Sequence, residues 1–310
     1  MAFKARLIET VETADTLGEG VLWRDSDQTV WWTDIQGRRL RRLAWPSLDL
    51  TSYDVPERIG SFGFVAGRDD LMVVAFETGF AVFAPDSGRT VWLDRPAALG
   101  AGVRLNDGRV DPRGRFWAGS MMEGEVPDGG RPRGVLYRLG ADGRAAPVLG
   151  GVGISNGLCW SPEGDRVYFA DSLLGAIYSG PFDADSGVFG RLEPFARFTG
   201  EAPDGAVTDA QGCVWTALWG GGRVARLSPD GRQLATVEVD APQPTCPAFG
   251  GPDGTLLFVV SARDELSADQ LAAKPLSGAL FVFETDACAG PPARARLTAS
   301  VLERIAREAA

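Results

Sequence analysis

Four oxygen-bearing side chains, Glu19, Asn106, Asn156 and Asp204, occupy one recurring register of the chain, each eight residues ahead of a turn in a repeated stretch. The same register holds Phe62 and Cys246 in the two remaining copies. Taken singly, "NDG", "SNG" and "PDG" are ordinary turn chemistry, because Asn and Asp bond their own backbone and glycine accepts positive φ. Taken as a set they are harder to explain as turns, and Glu19 is a poor turn former. Two carboxylates and two carboxamides meeting without partners would cost on the order of several kcal/mol each, and a cation is the simplest way to satisfy them. All the donors are hard oxygens, which favours Ca²⁺, Mg²⁺ or Mn²⁺, with Zn²⁺ accessible through carboxylates. Cys246 is either a soft ligand or, the preferred reading, a small lining residue; Phe62 is expected to wall the pocket. Arg104 is read as the only arginine within reach, either facing a ligand or paired with Asp107 or another acid at the mouth.

The chain has no histidine among its 310 residues. That excludes Ser-His-Asp and Cys-His triads, imidazole zinc clusters and a histidine base. Acid–base work must come from carboxylates, lysine, tyrosine or metal-bound water.

The elements that must position these residues are legible as repeats. "WRDSDQTVWWTDI", "GRDDLMVVAF", "VDPRGRFWAGSM", "WSPEGDRVYFADS", "TDAQGCVWTALW" and "GPDGTLLFVVSA" each join a turn to an aromatic or β-branched strand. They recur at about 42 to 50 residues, the length of a propeller blade. A second strand pair follows each copy, so the chain is expected to be all-β: one six-bladed β-propeller with four-stranded blades over residues 1–310. The unpaired "FKARLIETV" is expected to complete the last blade and close the ring, leaving no free sheet edge at the seam. Residues 298–310 carry apolar residues at helical spacing and are expected to form a short C-terminal helix.

Composition narrows the partners. The net charge of −10 argues against nucleic acid and anionic membranes, and "GRRLRRL" alternates as a solvated strand face does. No run of apolar residues is long enough to span a bilayer. The N-terminus lacks a signal peptide's apolar core, and the four cysteines lie far apart without CxxC spacing. A cytoplasmic protein with reduced, buried thiols is expected.

With these residues in hand, the chain resembles the senescence marker protein / regucalcin / gluconolactonase family of six-bladed propellers. The motifs that carry the likeness are "LGEGVLW", "RLNDGRVDPRGRFWAGSM", "GISNGLCWSPEGDRVYFADS", "APDGAVTDAQGCVWTALWGG" and "FGGPDGTLLFVVSA". The resemblance implies that Glu19, Asn156 and Asp204 hold one divalent metal and that Asp204 doubles as the catalytic base. It implies that Arg104 and Asn106 face substrate. Where relatives carry adjacent glutamates, the second position is Gly124 here, flanked by Glu123 and Glu125, so those two are the candidate substrate contacts. The loop "MMEGEVPDGGRPRG" that bears them is expected to act as a lid. The activity implied is metal-dependent hydrolysis of an aldonolactone, a small sugar ester, to the open acid. A calcium-binding regulator without turnover and a phosphotriesterase-like or broad esterase are the alternatives on the same residues.

Overall fold

The structure is a computed structural model that describes residues 3–100, 102–124 and 133–308. Six antiparallel meanders follow one another along the chain. Their first strands are Gly18–Arg24, Ile59–Val65, Val103–Val110, Ser155–Trp160, Ala202–Thr208 and Pro244–Gly250. Each first strand packs against the first strand of the next blade, and the sixth packs against the first. These six strands therefore line a central channel, and the sheets radiate from it as the blades of a six-bladed propeller.

Ring closure is as expected from sequence. The N-terminal strand Ala5–Val11 pairs antiparallel with Leu280–Thr285, running from Ala5 opposite Thr285 to Val11 opposite Leu280. It supplies the outer strand of the sixth blade. The fourth blade departs from the simple pattern, since Val188–Phe189 and Glu193–Arg197 both pair with Ala176–Asp183 and share its outer edge.

The blades are held by burial on both faces of every sheet. Successive side chains of a strand point to opposite faces, so Trp31 enters the apolar cluster with the second blade while Trp32 enters the cluster with the sixth. Likewise Trp160 packs toward the third blade and Cys159 toward the fifth. A fully buried large apolar side chain contributes about 1.5–3 kcal/mol, and each inter-blade seam contains several. This double-sided burial is why the strands read as apolar runs with little polar alternation.

The C-terminal segment is part of the structure of the ring. After the sixth blade the chain crosses the channel end where the first strands finish: Ala289 bridges Asp209 of the fifth blade, and Ala295 bridges Val65 of the second. This segment, with Trp23, Phe64, Trp160 and Phe249, lines a cavity of ≈ 560 Å³. The helix expected from sequence runs Ala299–Arg307, capped by the Thr298 side chain. Val301 and Ile305 are buried against the second and third blades. A second helix, Ala268–Ala273, closed by a capping box between Ser267 and Gln270, was not anticipated. Among the described residues no helix is long and apolar enough to cross a membrane.

Deleting residues 1–11 should leave Leu280–Thr285 with an open edge and the ring unlatched. We expect the unfolding midpoint to fall by roughly 10 °C or more, the equivalent of several kcal/mol for a chain of this size. An unchanged midpoint in calorimetry would show that the strand does not close the ring.

Candidate metal and substrate site

The first strand of every blade opens with a β-bulge, and four of the six bulges carry or adjoin the candidate residues. The pairing register slips between Glu19 and Leu22, Leu105 and Gly108, Asn156 and Cys159, and Pro203 and Ala206. A bulge re-aims side chains out of the ladder, here toward the channel. The "EG", "NDG", "SNG" and "PDG" sequences are therefore not turns. Two of their glycines supply left-handed backbone within an otherwise extended strand, Gly20 with φ 60° and Gly157 with φ 57°. Gly157 has a second reason to lack a side chain, since a Cβ there would lie 2.9 Å from the Asp204 carbonyl oxygen. A Cβ on Gly205 would lie 2.7 Å from Cys246 Sγ. These glycines let neighbouring first strands close up around the axis.

Glu19, Asn106, Asn156 and Asp204 are all buried at this end of the channel. The Glu19 and Asp204 carboxyls are buried close enough for each to perturb the other. Burial, followed by the charge of Asp107, pushes Glu19 up to about 8. Burial, followed by the charge of Glu19, raises Asp204 well above the carboxylate range. Asp204 Oδ1 has no hydrogen-bond partner. Burial and mutual repulsion thus both disfavour the doubly charged pair.

A chain of hydrogen bonds ties three blades together beside it. Arg104 Nη1 donates to Asn106 Oδ1 at 2.7 Å, and Asn106 Nδ2 donates to Asn156 Oδ1 at 3.0 Å. Asn156 Nδ2 donates to Ser172 Oγ at 2.9 Å, and Ser172 donates to the Pro203 carbonyl at 2.6 Å. With its NH₂ committed to Ser172, the Asn156 carboxamide has a fixed orientation, and its oxygen retains a second lone pair.

Two buried groups lie outside the expected set. Asp107 accepts from Leu158 N at 3.3 Å, and its other oxygen has no partner. Arg109 donates to the Ala206 carbonyl at 3.0 Å and reaches Cys246 Sγ at 3.7 Å. Asp107 is not the ion partner of Arg104. That partner is Glu123, whose Oε1 lies 3.2 Å from Arg104 Nε. Cys246 is fully buried against Gly205 and Arg109, and Phe62 is buried in the seam between the first two blades.

The mouth contains an arginine that sequence reading missed. Arg58 grips Glu123 with both terminal nitrogens, at 2.6 and 3.0 Å, and bonds Glu77 through Nε at 2.7 Å. The Arg58 bonds hold the Glu123 carboxyl below its ordinary range. Arg104 is thus not the only arginine in reach. "PERIG", between the first two blades, offered no motif to mark Arg58, whereas Asp107 stands inside the "NDG" already singled out. Glu125, and with it the expected lid, lies outside the described residues.

The donor set fits a divalent cation. Among the described residues no three acidic, histidine or cysteine side chains cluster as a ready metal cage; the third oxygen here is the Asn156 carboxamide. Two buried carboxyls close together, one with an orphaned oxygen, lack a counter-charge that protons or a cation must supply. The candidate donors are oxygens only, the type hard cations favour.

Residues 17–263 match the family model described as the SMP-30/Gluconolactonase/LRE-like region. The chain is 37% identical to a 6-deoxy-6-sulfogluconolactonase of Pseudomonas putida, over 91% of this chain and 96% of that one. It is 38% identical to an L-arabinolactonase of Azospirillum brasilense, over 88% and 90% of the two chains. A calcium-binding protein, regucalcin, from Agrobacterium tumefaciens superposes with a TM-score of 0.86 at 32% identity, covering 94% of this chain and 98% of that one.

Cation binding should displace protons from this site. Glu19 holds its proton more tightly in the folded chain, near 8, than at its ordinary value of 4.5. The ion-free chain therefore has this contribution in full below about 4.5 and loses it as pH rises through about 8. Divalent-ion affinity should rise over the same window, and calorimetry in buffers of different ionisation enthalpy should register proton release. Binding that is independent of pH across that window, with no proton released, would place the ion elsewhere.

Proposed function

Since the chain belongs to the SMP-30/gluconolactonase/LRE-like family, we propose that it is a metal-dependent lactonase that opens a small sugar lactone to the corresponding acid. The observation that carries this reading is the buried Glu19–Asp204 carboxyl pair beside the oriented Asn156 carboxamide. The relatives named as sulfogluconolactonase and arabinolactonase support the sugar-lactone class.

In this reading Glu19, Asn156 and Asp204 hold one divalent ion. When bound, such an ion polarises a carbonyl oxygen, acidifies water and supplies the charge that keeps Asp204 ionised. The remaining work falls to the chain itself. Asp204 takes a proton from the attacking water and returns it to the ring oxygen as the C–O bond breaks, so the carboxylate is regenerated each cycle. Its unpartnered Oδ1 leaves it free to do so. Arg104 has Nε on Glu123 and Nη1 on Leu105 O and Asn106 Oδ1. Its Nη2, without a protein partner among the described residues, is the donor available to a lactone oxygen. Asn106 passes that orientation on to Asn156, so substrate-facing and ion-facing groups share one rigid network.

A calcium-binding role without turnover is the second reading, and the likeness to regucalcin favours it. A buried arginine with a donor free for substrate has no task in ion storage, which is why the enzymatic reading stands first. A pH-indicator assay over neutral aldonolactones and a phosphotriester, each with Ca²⁺, Mg²⁺, Mn²⁺ or Zn²⁺ and with chelator, separates the readings. Lactone opening that is lost to chelator and restored by the ion is expected.

Asp204→Asn should lower kcat on the order of 100-fold or more, with the fold intact by circular dichroism. Full turnover in that variant would remove Asp204 as the base. Absence of turnover on any lactone under any metal would leave the storage reading in place.

A further inference from the structure

The mouth cluster holds a carboxylate in a cradle that is complete without it. Arg58 and Arg104 converge on Glu123: Arg58 binds both carboxylate oxygens, and Arg104 Nε adds a third contact. This is the forked geometry that guanidinium groups use to recognise planar or tetrahedral anions. The two arginines are anchored independently of Glu123. Arg58 is braced by Glu77, and Arg104 by Asn106 Oδ1 and the Leu105 carbonyl. Among the described residues the Glu123 side chain bonds nothing but the two arginines. It is also the most exposed of the three, at 37% against 18% for Arg58 and 6% for Arg104. It stands just after the strand Phe116–Met122, beside Gly124, where a Cβ would meet nothing within 4 Å. The least anchored member of the cluster is therefore the acid.

Arg104 also belongs to the ion-facing network through Asn106. One guanidinium thus joins the Glu123 seat to the Glu19–Asn156–Asp204 site.

We propose that Glu123 occupies the seat of the substrate's own anionic group, and that the preferred lactones carry a terminal carboxylate, sulfonate or phosphate bound between Arg58 and Arg104. The inference rests on the lactonase reading and narrows it to a substrate class. Glu123 then acts as a gatekeeper. Its carboxylate neutralises the arginines in the free chain and yields to an incoming anion, and a neutral sugar leaves it in place.

The test compares gluconate with glucarate, which adds a second terminal carboxylate, by calorimetry on the metal-loaded chain. Glucarate is expected to bind at least tenfold more tightly. Arg58→Gln should bring that ratio close to one, Arg58→Lys should leave it in between, and Glu123→Ala should tighten glucarate binding. A gain of affinity in Glu123→Ala cannot arise from misfolding, so that variant guards against a damaged Arg58→Gln. Rates on a neutral lactone and on its carboxylate-, sulfonate- and phosphate-bearing counterparts identify which anion is preferred. Equal binding of gluconate and glucarate, or a ratio untouched by Arg58→Gln, overturns the proposal. Turnover of neutral lactones with equal binding refutes the cradle alone; the glucarate preference without any turnover refutes the lactonase reading alone.

Discussion

Two carboxyl groups held close together inside a protein cannot both stay charged without a counter-charge. In water, unit charges a few ångströms apart repel by about 1 kcal/mol, and that cost grows several-fold as the effective dielectric falls. Glu19 and Asp204 are in that position, buried at the hub of the ring, with Asp107 adding a third acid nearby. Either protons or a cation must occupy the space between them. That requirement frames the rest of the site: the oxygen donors around the pair and the arginines kept at the mouth.

The ring architecture makes such a site affordable. Six apolar seams, each made from the facing sides of two neighbouring sheets, supply far more burial than the acids remove. The strain is also local. Bulges at the start of the first strands turn the acids and carboxamides inward, while the rest of each strand keeps a regular ladder. Gly157 and Gly205 let adjacent strands approach at the axis, so residues far apart in sequence come within hydrogen-bond distance. The C-terminal segment bridges the second and fifth blades across the opposite end.

Division of labour runs along one network. Asn156 and the carboxyl pair lie at the hub, Arg104 and Asn106 link Asn156 to the mouth, and Arg58, Glu77 and Glu123 set the charge there. The link through Arg104 explains why its guanidinium is buried although it carries charge: three of its contacts are fixed by the protein, and Glu123 offsets the desolvation that burial imposes.

Much of this was legible in the chain itself. Blade number, ring closure by the first strand, the C-terminal helix and the register of Glu19, Asn106, Asn156 and Asp204 all follow from local signals: turn residues at fixed spacing, apolar runs and a repeat length. A repeat fold transmits such signals faithfully, because equivalent positions in successive blades must point to one axis. From its own residues "SNG" could be a turn or a bulge, since glycine's positive φ serves both and only the neighbouring strand decides which. Arg58 was invisible, because it reaches Glu123 across 65 residues and two blades with no repeat to mark it. Sequence determined which side chains repeat and where the ring must close. Tertiary structure alone decided which acids lie together, which arginine faces which carboxylate, and hence where the charge is left unbalanced.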